Sequence, residues 1–162
     1  MEESLWMKLY QDDIEYKKLE SDEVTDVVII GGGMTGLSAA YHLLSKNYRV
    51  ILVEANQIAS SASGRNTGKL TAQHGLIYDY LINKKGMDQA KYYYQCQKES
   101  IESIEKIINR YSIHCHFKRT STTIQSSDIN KIDKEYKAYQ QLDIPCSISK
   151  NQKHATLTMH HQ

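Results

Sequence analysis

The sequence predicts an α/β fold: a parallel βαβ unit at the front, then the opening of an α+β part. Three observations carry that expectation. A glycine-rich turn, Gly31-Gly32-Gly33-Met34-Thr35-Gly36, stands between a β-branched run and a helical pattern. A second apolar run, Val50-Ile51-Leu52-Val53, suits a buried parallel strand and ends in Glu54. Strand and helix patterns then alternate over the rest of the chain. The spacing of Gly31, Gly33 and Gly36 between a strand and a helix is that of a Rossmann-like unit.

The elements follow in order. Residues 1–22 are polar, with Trp6 and Tyr10 as isolated anchors, and read as an extended or partly helical arm over the domain. Val24–Ile30 is the first strand, led in by Asp22 and Glu23. Leu37–Leu44 is a helix, since Leu37, Ala40, Tyr41 and Leu44 share one face, and Lys46-Asn47 ends it. A long Ser- and Gly-rich loop runs from Glu54 to Thr71, and a short helix over Leu76–Asn83 follows. The clearest helix is Met87–Tyr111, where Ala90, Tyr93, Tyr94, Gln97, Ile101, Ile104, Ile108 and Tyr111 form one stripe. Glu99, Glu102 and Glu105 alternate with Lys98 and Lys106 on its solvated side. Helical spacing makes that tyrosine stripe a core face in preference to a base-stacking surface. His116–Ser126 has strand character, and Ser127–Leu142 is a helix capped by Ser127 or Asp128. Pro145 breaks that helix, Ile144–Ser149 is a strand, and a polar tail runs from Lys150 to Gln162.

The front unit has the parts that hold a dinucleotide. Gly31 allows a tight turn out of the strand, Gly33 lets backbone approach a pyrophosphate, and Gly36 lets the helix pack close to the sheet. Free amides and the positive dipole end at the helix start favour phosphate. Glu54, at the strand end, suits ribose hydroxyls and would repel a 2′-phosphate, which argues against NADP. FAD and NAD share this half-site. The competing expectation is a structural glycine turn that binds nothing, and a plain solvated connection for the loop. A structureless stretch of that length inside a domain is uncommon unless it has a role.

The loop carries the distinction. The run Gly-Gly-Gly-x-Thr-Gly-Leu from Gly31, followed by Ser-Gly-x-x-Thr-Gly-Lys-Leu-Thr-x-Gln-His-Gly from Ser63, resembles the D-amino-acid-oxidase-like superfamily of FAD-dependent oxidoreductases. Its nearest look is to the branch that can carry a Rieske domain. The resemblance spans most of residues 20–145 and is specific in 27–44 and 50–78. It implies FAD and oxidation of a C–N bond of a small amine or amino acid, with hydride transfer to flavin N5. By matching positions, it places the flavin contacts on Gly31, Gly33, Met34, Thr35, Gly36, Glu54, Ala55, Ser63, Asn66, Thr67, Gly68, Lys69 and Leu70. Members with covalent flavin can carry His where this chain has Asn66, so the resemblance implies noncovalent FAD. Lys69 and Arg65 read either as neutralisers of pyrophosphate or as surface cations. The implied organisation is an arm over 1–22, an FAD-binding part over 23–112, the start of a substrate domain over 113–149 and a tail over 150–162.

Composition sets further bounds. At 162 residues the chain can bury one real core. Its net charge of +1 implies no nucleic-acid or membrane-surface partner. Val27–Leu44 lacks charged residues and is about long enough to cross a bilayer, but three central glycines fit a strand–turn–helix better. The acidic flank argues against a signal peptide, so the cytoplasm is the expected location. Cys96, Cys115 and Cys146 are too widely spaced for a disulfide framework or a zinc site. His114 and His116 would share one face of a strand, yet no further ligand has suitable spacing, and no metal is expected. The Cys-x-His and Cys-x-x-His pair of a Rieske centre is absent.

Members of the resembled family are considerably longer, so the sequence reads as a truncated chain that carries an FAD half-site and no identified general base or carboxylate clamp. Three readings stay open: the amino-terminal part of an amine-oxidising flavoenzyme, a catalytically silent nucleotide-binding remnant, and a noncatalytic interaction module. Loss of about 4 kcal/mol of flavin-ring contacts would weaken FAD about a thousandfold, so weak FAD binding and little turnover are expected of these residues alone.

Overall fold

A short helix, α1 (Leu5–Leu9), opens the first of two units, Met1–Lys69. The computed structural model describes residues 4–9 and 14–160, so Tyr10 lies outside the described residues. Two β-branched and leucine-containing runs, β1 (Val27–Ile30) and β2 (Val50–Val53), pair in parallel, with Val27 beside Val50 and Ile30 beside Val53. Parallel strands need a crossover, and α2 (Met34–Leu44) provides it.

β1 starts at Val27, not Val24, because Arg49 draws the preceding residues away from a ladder. Thr25 Oγ1 donates to the Arg49 carbonyl at 2.7 Å, and the Asp26 carboxylate accepts the Arg49 amide at 2.8 Å and its guanidinium at 3.0 Å. The pairing holds the Asp26 carboxyl below its usual range, chiefly through the side-chain bond. α2 starts three positions before the apolar stripe predicts, since Gly33 is extended at φ −81° and ψ −177° and Leu37 N–H already donates to its carbonyl at 2.9 Å. Asn47, with φ 64°, turns the chain beyond the helix.

The first unit buries little. None of the α2 residues is buried, β2 is only half-buried along its length, and Val28 and Ile30 are 59% and 87% exposed. The sequence pattern predicts a buried strand at β2, and the structure leaves it partly open.

The second unit, Leu70–Gln162, holds the core. It contains α3 (Tyr78–Lys85), α4 (Met87–Arg110), β3 (Thr122–Ser126), α5 (Ile129–Gln141), β4 (Cys146–Lys150) and β5 (Ala155–Met159). Thus α3 and α4, grouped with the nucleotide-binding part by sequence, fall in this second unit. The residues expected as a polar tail instead supply β5, the central strand of an antiparallel sheet ordered β3-β5-β4. Alternation explains it: Ala155, Leu157 and Met159 are fully buried, while Thr156 and Thr158 face the other way.

Residues 113–121, expected to be partly strand, are irregular, and His116 has φ 54°. His114 and His116 therefore do not share a strand face. Among the described residues no group of three or more His, Cys, Asp or Glu could hold a metal. No described helix is long and apolar enough to cross a membrane.

Tyrosine builds much of this core. Tyr78 is fully buried and meets Tyr139, Tyr93 and Tyr94 edge-on at centroid distances of 5.2, 5.9 and 6.1 Å. Its hydroxyl donates to the Ala72 carbonyl at 2.7 Å, and burial pushes its phenol well up. On α5 the expected apolar side is buried through Ile132 and Tyr139, and the expected cap is Asp128, which accepts the Lys131 amide at 3.2 Å. On the charged side of α4, half-exposed Glu105 accepts Arg119 Nε at 3.2 Å.

Candidate functional site

The site grows from the junction of β1 and α2. Gly31 leaves the strand with φ +104°, where L side chains are strained, and its amide still donates to the Val53 carbonyl at 2.8 Å. At Gly36 an added Cβ would stand 2.0 Å from the Gly31 carbonyl oxygen and 3.3 Å from Ile29 Cγ2. The helix can lie this close to the turn only because residue 36 has no side chain. A Cβ at Gly33 would meet only the Ser63 hydroxyl, at 3.1 Å, so that backbone stays open to approach.

Glu54 turns back from the end of β2 over the start of α2. Its Oε2 accepts the Gly32 amide at 2.7 Å, and its Oε1 accepts the Asn56 amide at 2.9 Å. These bonds, the Gly32 one foremost, hold the carboxyl below its ordinary range. A depressed folded pKa means that the charged form stabilises the fold above the unfolded carboxyl pKa. That contribution is lost as pH falls through the folded value. In acid titration followed by amide exchange at Gly32, the wild-type chain is therefore expected to open below the usual carboxyl range. Glu54→Gln is expected to show a flatter acid limb, and identical limbs would refute the assignment.

Amides at the helix mouth are divided. Gly32 is held by Glu54, and Met34 donates to Ser63 Oγ at 2.9 Å. The Gly33 and Thr35 amides have no acceptor among the described residues. A phosphate requires donors of this kind at a helix N-terminus.

The loop expected to be irregular contains a 3₁₀ turn at Ala62–Arg65. Asn66 braces it from within: its Nδ2 donates to the Ser63 carbonyl, and its Oδ1 accepts the Gly68 amide at 2.6 Å. Gly68 has φ +67°. Arg65 donates to the Ser60 carbonyl, while Ala55, Thr67 and Lys69 are exposed. Leu70 opens the second unit. The structure thus brings Gly31, Gly33, Met34, Thr35, Gly36, Glu54 and Ser63 to one mouth, with Asn66 and Gly68 shaping the loop behind Ser63.

Sequence reasoning missed two glycines here and the partner of Trp6. Gly32 is buried and supplies the amide to Glu54, and a Cβ there would meet Ile58 Cδ1 at 2.4 Å. Gly64 is buried, and a Cβ would meet the Ala59 carbonyl oxygen at 2.3 Å. Trp6 donates to the Asn66 carbonyl at 2.7 Å. For the two glycines, their places within the two glycine-bearing motifs were the available signal; Trp6 was expected as an anchor of the arm, and the structure shows that it anchors on this loop.

The donor set fits an adenine dinucleotide: a glycine cradle that a Cβ would fill, unclaimed amides at a helix start, and an ionised carboxylate at the adjoining strand end. Comparison with known proteins points the same way. A family model described as FAD dependent oxidoreductase matches residues 26–157. A Bacillus subtilis protein bearing the name Rieske 2Fe-2S iron-sulfur protein YhfW is 35% identical over 92% of this chain and 30% of its own length. The gamma-glutamylputrescine oxidoreductase of Escherichia coli is 34% identical over 70% of this chain and 26% of its own. One subunit of the anaerobic glycerol-3-phosphate dehydrogenase of Escherichia coli is 34% identical over 60% of this chain and 16% of its own. The chain therefore spans no more than about a third of the length of these relatives. No solved structure matches.

Proposed function

The chain belongs to the FAD dependent oxidoreductase family, and from that premise we propose that its first unit is the Rossmann-like, adenine-dinucleotide half-site of an amine-oxidising flavoenzyme. One observation carries the reading: the Glu54 carboxylate lies across the glycine turn, bonded to Gly32, beside the unclaimed amides of Gly33 and Thr35. Gly31, Gly33, Met34, Thr35 and Gly36 would hold the pyrophosphate of FAD. Glu54 and Ala55 would hold the ribose, and Ser63, Asn66, Thr67, Gly68 and Lys69 the remainder. When bound, FAD would supply the two-electron acceptor for the hydride that leaves the C–H bond next to nitrogen, as the amine C–N bond becomes C=N.

The chain's own residues bind and orient. Ionised Glu54 accepts hydroxyl donors, and the amides at the helix start donate to phosphate oxygens. Both polar atoms of Asn66 are engaged within the loop, which supports noncovalent FAD. The name of one Escherichia coli relative, gamma-glutamylputrescine oxidoreductase, supports a small amine or amino acid as substrate class. A small-molecule substrate, no nucleic-acid or membrane partner, and a cytoplasmic location complete the proposal.

Titration of the chain with FAD and with ADP tests it. ADP is expected to bind and to displace FAD, whose own affinity is weak. An amine substrate is expected to bleach the flavin bands slowly or not at all with these residues alone. No affinity for either nucleotide, or FAD binding indifferent to ADP, would overturn the half-site.

A further inference from the structure

Within the first unit, residues Ser4 to Leu9 lie against the loop that follows β2. Ser4 Oγ donates to the Gly64 carbonyl and accepts the Met7 amide at 3.2 Å, so one hydroxyl joins α1 to the 3₁₀ turn. Met7 Sδ stands 3.1 Å from where a Gly64 Cβ would be. Trp6 Nε1 donates to the Asn66 carbonyl at 2.7 Å, and its ring covers Gly68, whose Cβ would fall 2.7 Å from Cζ2. Glycine at 64 is required by the loop's own Ala59 carbonyl oxygen, 2.3 Å from an added Cβ, whereas at 68 the Trp6 ring adds to the demand of the loop's backbone.

These contacts continue to the helix mouth. The Asn66 carbonyl takes the indole N–H, the Asn66 amide group donates to the Ser63 carbonyl, and Ser63 Oγ accepts the Met34 amide. A single line of hydrogen bonds therefore runs from Trp6 to the first residue of α2. The loop itself is mostly exposed and has no apolar core of its own, so its shape depends on such tethers.

We propose that the amino-terminal helix is a clasp for the cofactor loop, with Trp6 as the positioning residue that fixes Asn66 and, through it, Ser63. Ser4 and Met7 secure the clasp at Gly64. The clasp holds the loop with or without nucleotide; its consequence for affinity rests on the FAD reading. A ligand reaching only the glycine turn and Glu54 does not need the loop, whereas one extending past Ser63 does.

The first test needs no cofactor. Arg65 and Lys69 are exposed trypsin sites inside the clasped loop. Trp6→Ala is expected to raise cleavage at these two sites about tenfold, the effect of losing roughly 1.4 kcal/mol of local closure. Trp6→Phe keeps a ring over Gly68 and loses the donor, and about a threefold rise is expected, as for one hydrogen bond of modest net value. In both variants the cleavage rate at Lys98 and Lys106 on α4 serves as the control and is expected to stay unchanged. The second test compares affinities: Trp6→Ala is expected to weaken FAD about fivefold and ADP less than twofold. Wild-type cleavage rates in both variants would overturn the clasp, and equal losses of FAD and ADP would overturn Trp6 as a loop-positioning residue. A wild-type chain that binds neither nucleotide would refute the half-site, and the clasp would then stand or fall on the cleavage rates.

Discussion

Gly36→Ala is expected to weaken adenine-nucleotide binding severely and to destabilise the first unit. The added Cβ has no rotamer by which to escape, and it would sit 2.0 Å from the Gly31 carbonyl oxygen. Either α2 moves off the turn or Gly31 leaves its position, and Gly31 is anchored to Val53 at 2.8 Å. Overpacking of this kind costs about 1–3 kcal/mol in stability. Binding suffers more, because the amides at the start of α2 are displaced from Glu54. A loss of at least about a hundredfold in ADP affinity, roughly 2.7 kcal/mol, is expected by isothermal titration calorimetry. Gly75→Ala is the control: it has φ +70° but nothing within 4 Å of the added Cβ, so only backbone strain of about 1 kcal/mol applies. Unchanged ADP affinity in Gly36→Ala would mean that helix and turn are not held as close as described.

Glu135→Leu is expected to cost the second unit about 3 kcal/mol. Glu135 is fully buried on α5, and its two oxygens accept the Tyr78 and Asp79 amides at 2.8 and 2.9 Å, at the start of α3. Leucine leaves both amides without a partner, each worth about 1–3 kcal/mol when buried. Glu135→Gln is expected to cost less, since its oxygen can keep one amide while its NH₂ group faces the other. Burial pushes the Glu135 carboxyl above its usual range, outweighing the two amide bonds that pull it down. A folded pKa above the unfolded one favours folding most at pH below the unfolded value. That advantage declines as pH rises through the folded value. Denaturant unfolding at a series of pH values should therefore show the wild-type margin over Glu135→Gln shrinking from pH 4 upward and then levelling. A margin that grows with pH would mean that the amide bonds dominate burial.

The elements of the first unit were legible because each rule involved is local. Val50–Val53 was found to the residue, since a continuous apolar run closed by Glu54 has few other uses. Of the boundaries that moved, one did so for a distant partner and one for a local backbone conformation. Arg49 draws Thr25 and Asp26 out of the strand, and extended Gly33 starts α2 early. The polar stretch after Lys150 concealed a central strand because Thr156 and Thr158 lowered its mean hydropathy, while the alternating Ala155, Leu157 and Met159 carried the burial. Lys98 and Glu102 behave as the solvated pair the pattern implies, 3.9 Å apart, with Lys98 exposed and Glu102 half-exposed. Glu135 was unreadable, because a carboxylate among lysines on a helix looks solvated until its burial is known.

By itself, the sequence determined the parallel βαβ start, the three glycine positions and the carboxylate at the end of β2. Each is dictated by backbone conformation and residue type within about thirty positions of chain. The tertiary structure alone decided that Glu54 lies over the glycine turn and that Trp6 rests on Gly68. It also decided that Ala155–Met159 is the middle strand. These depend on which surfaces meet across 22 residues for Glu54 and Gly32, sixty or more for the arm, and thirty-odd for the sheet. No local propensity encodes a meeting at that range; it is set by the packing that the whole chain makes possible.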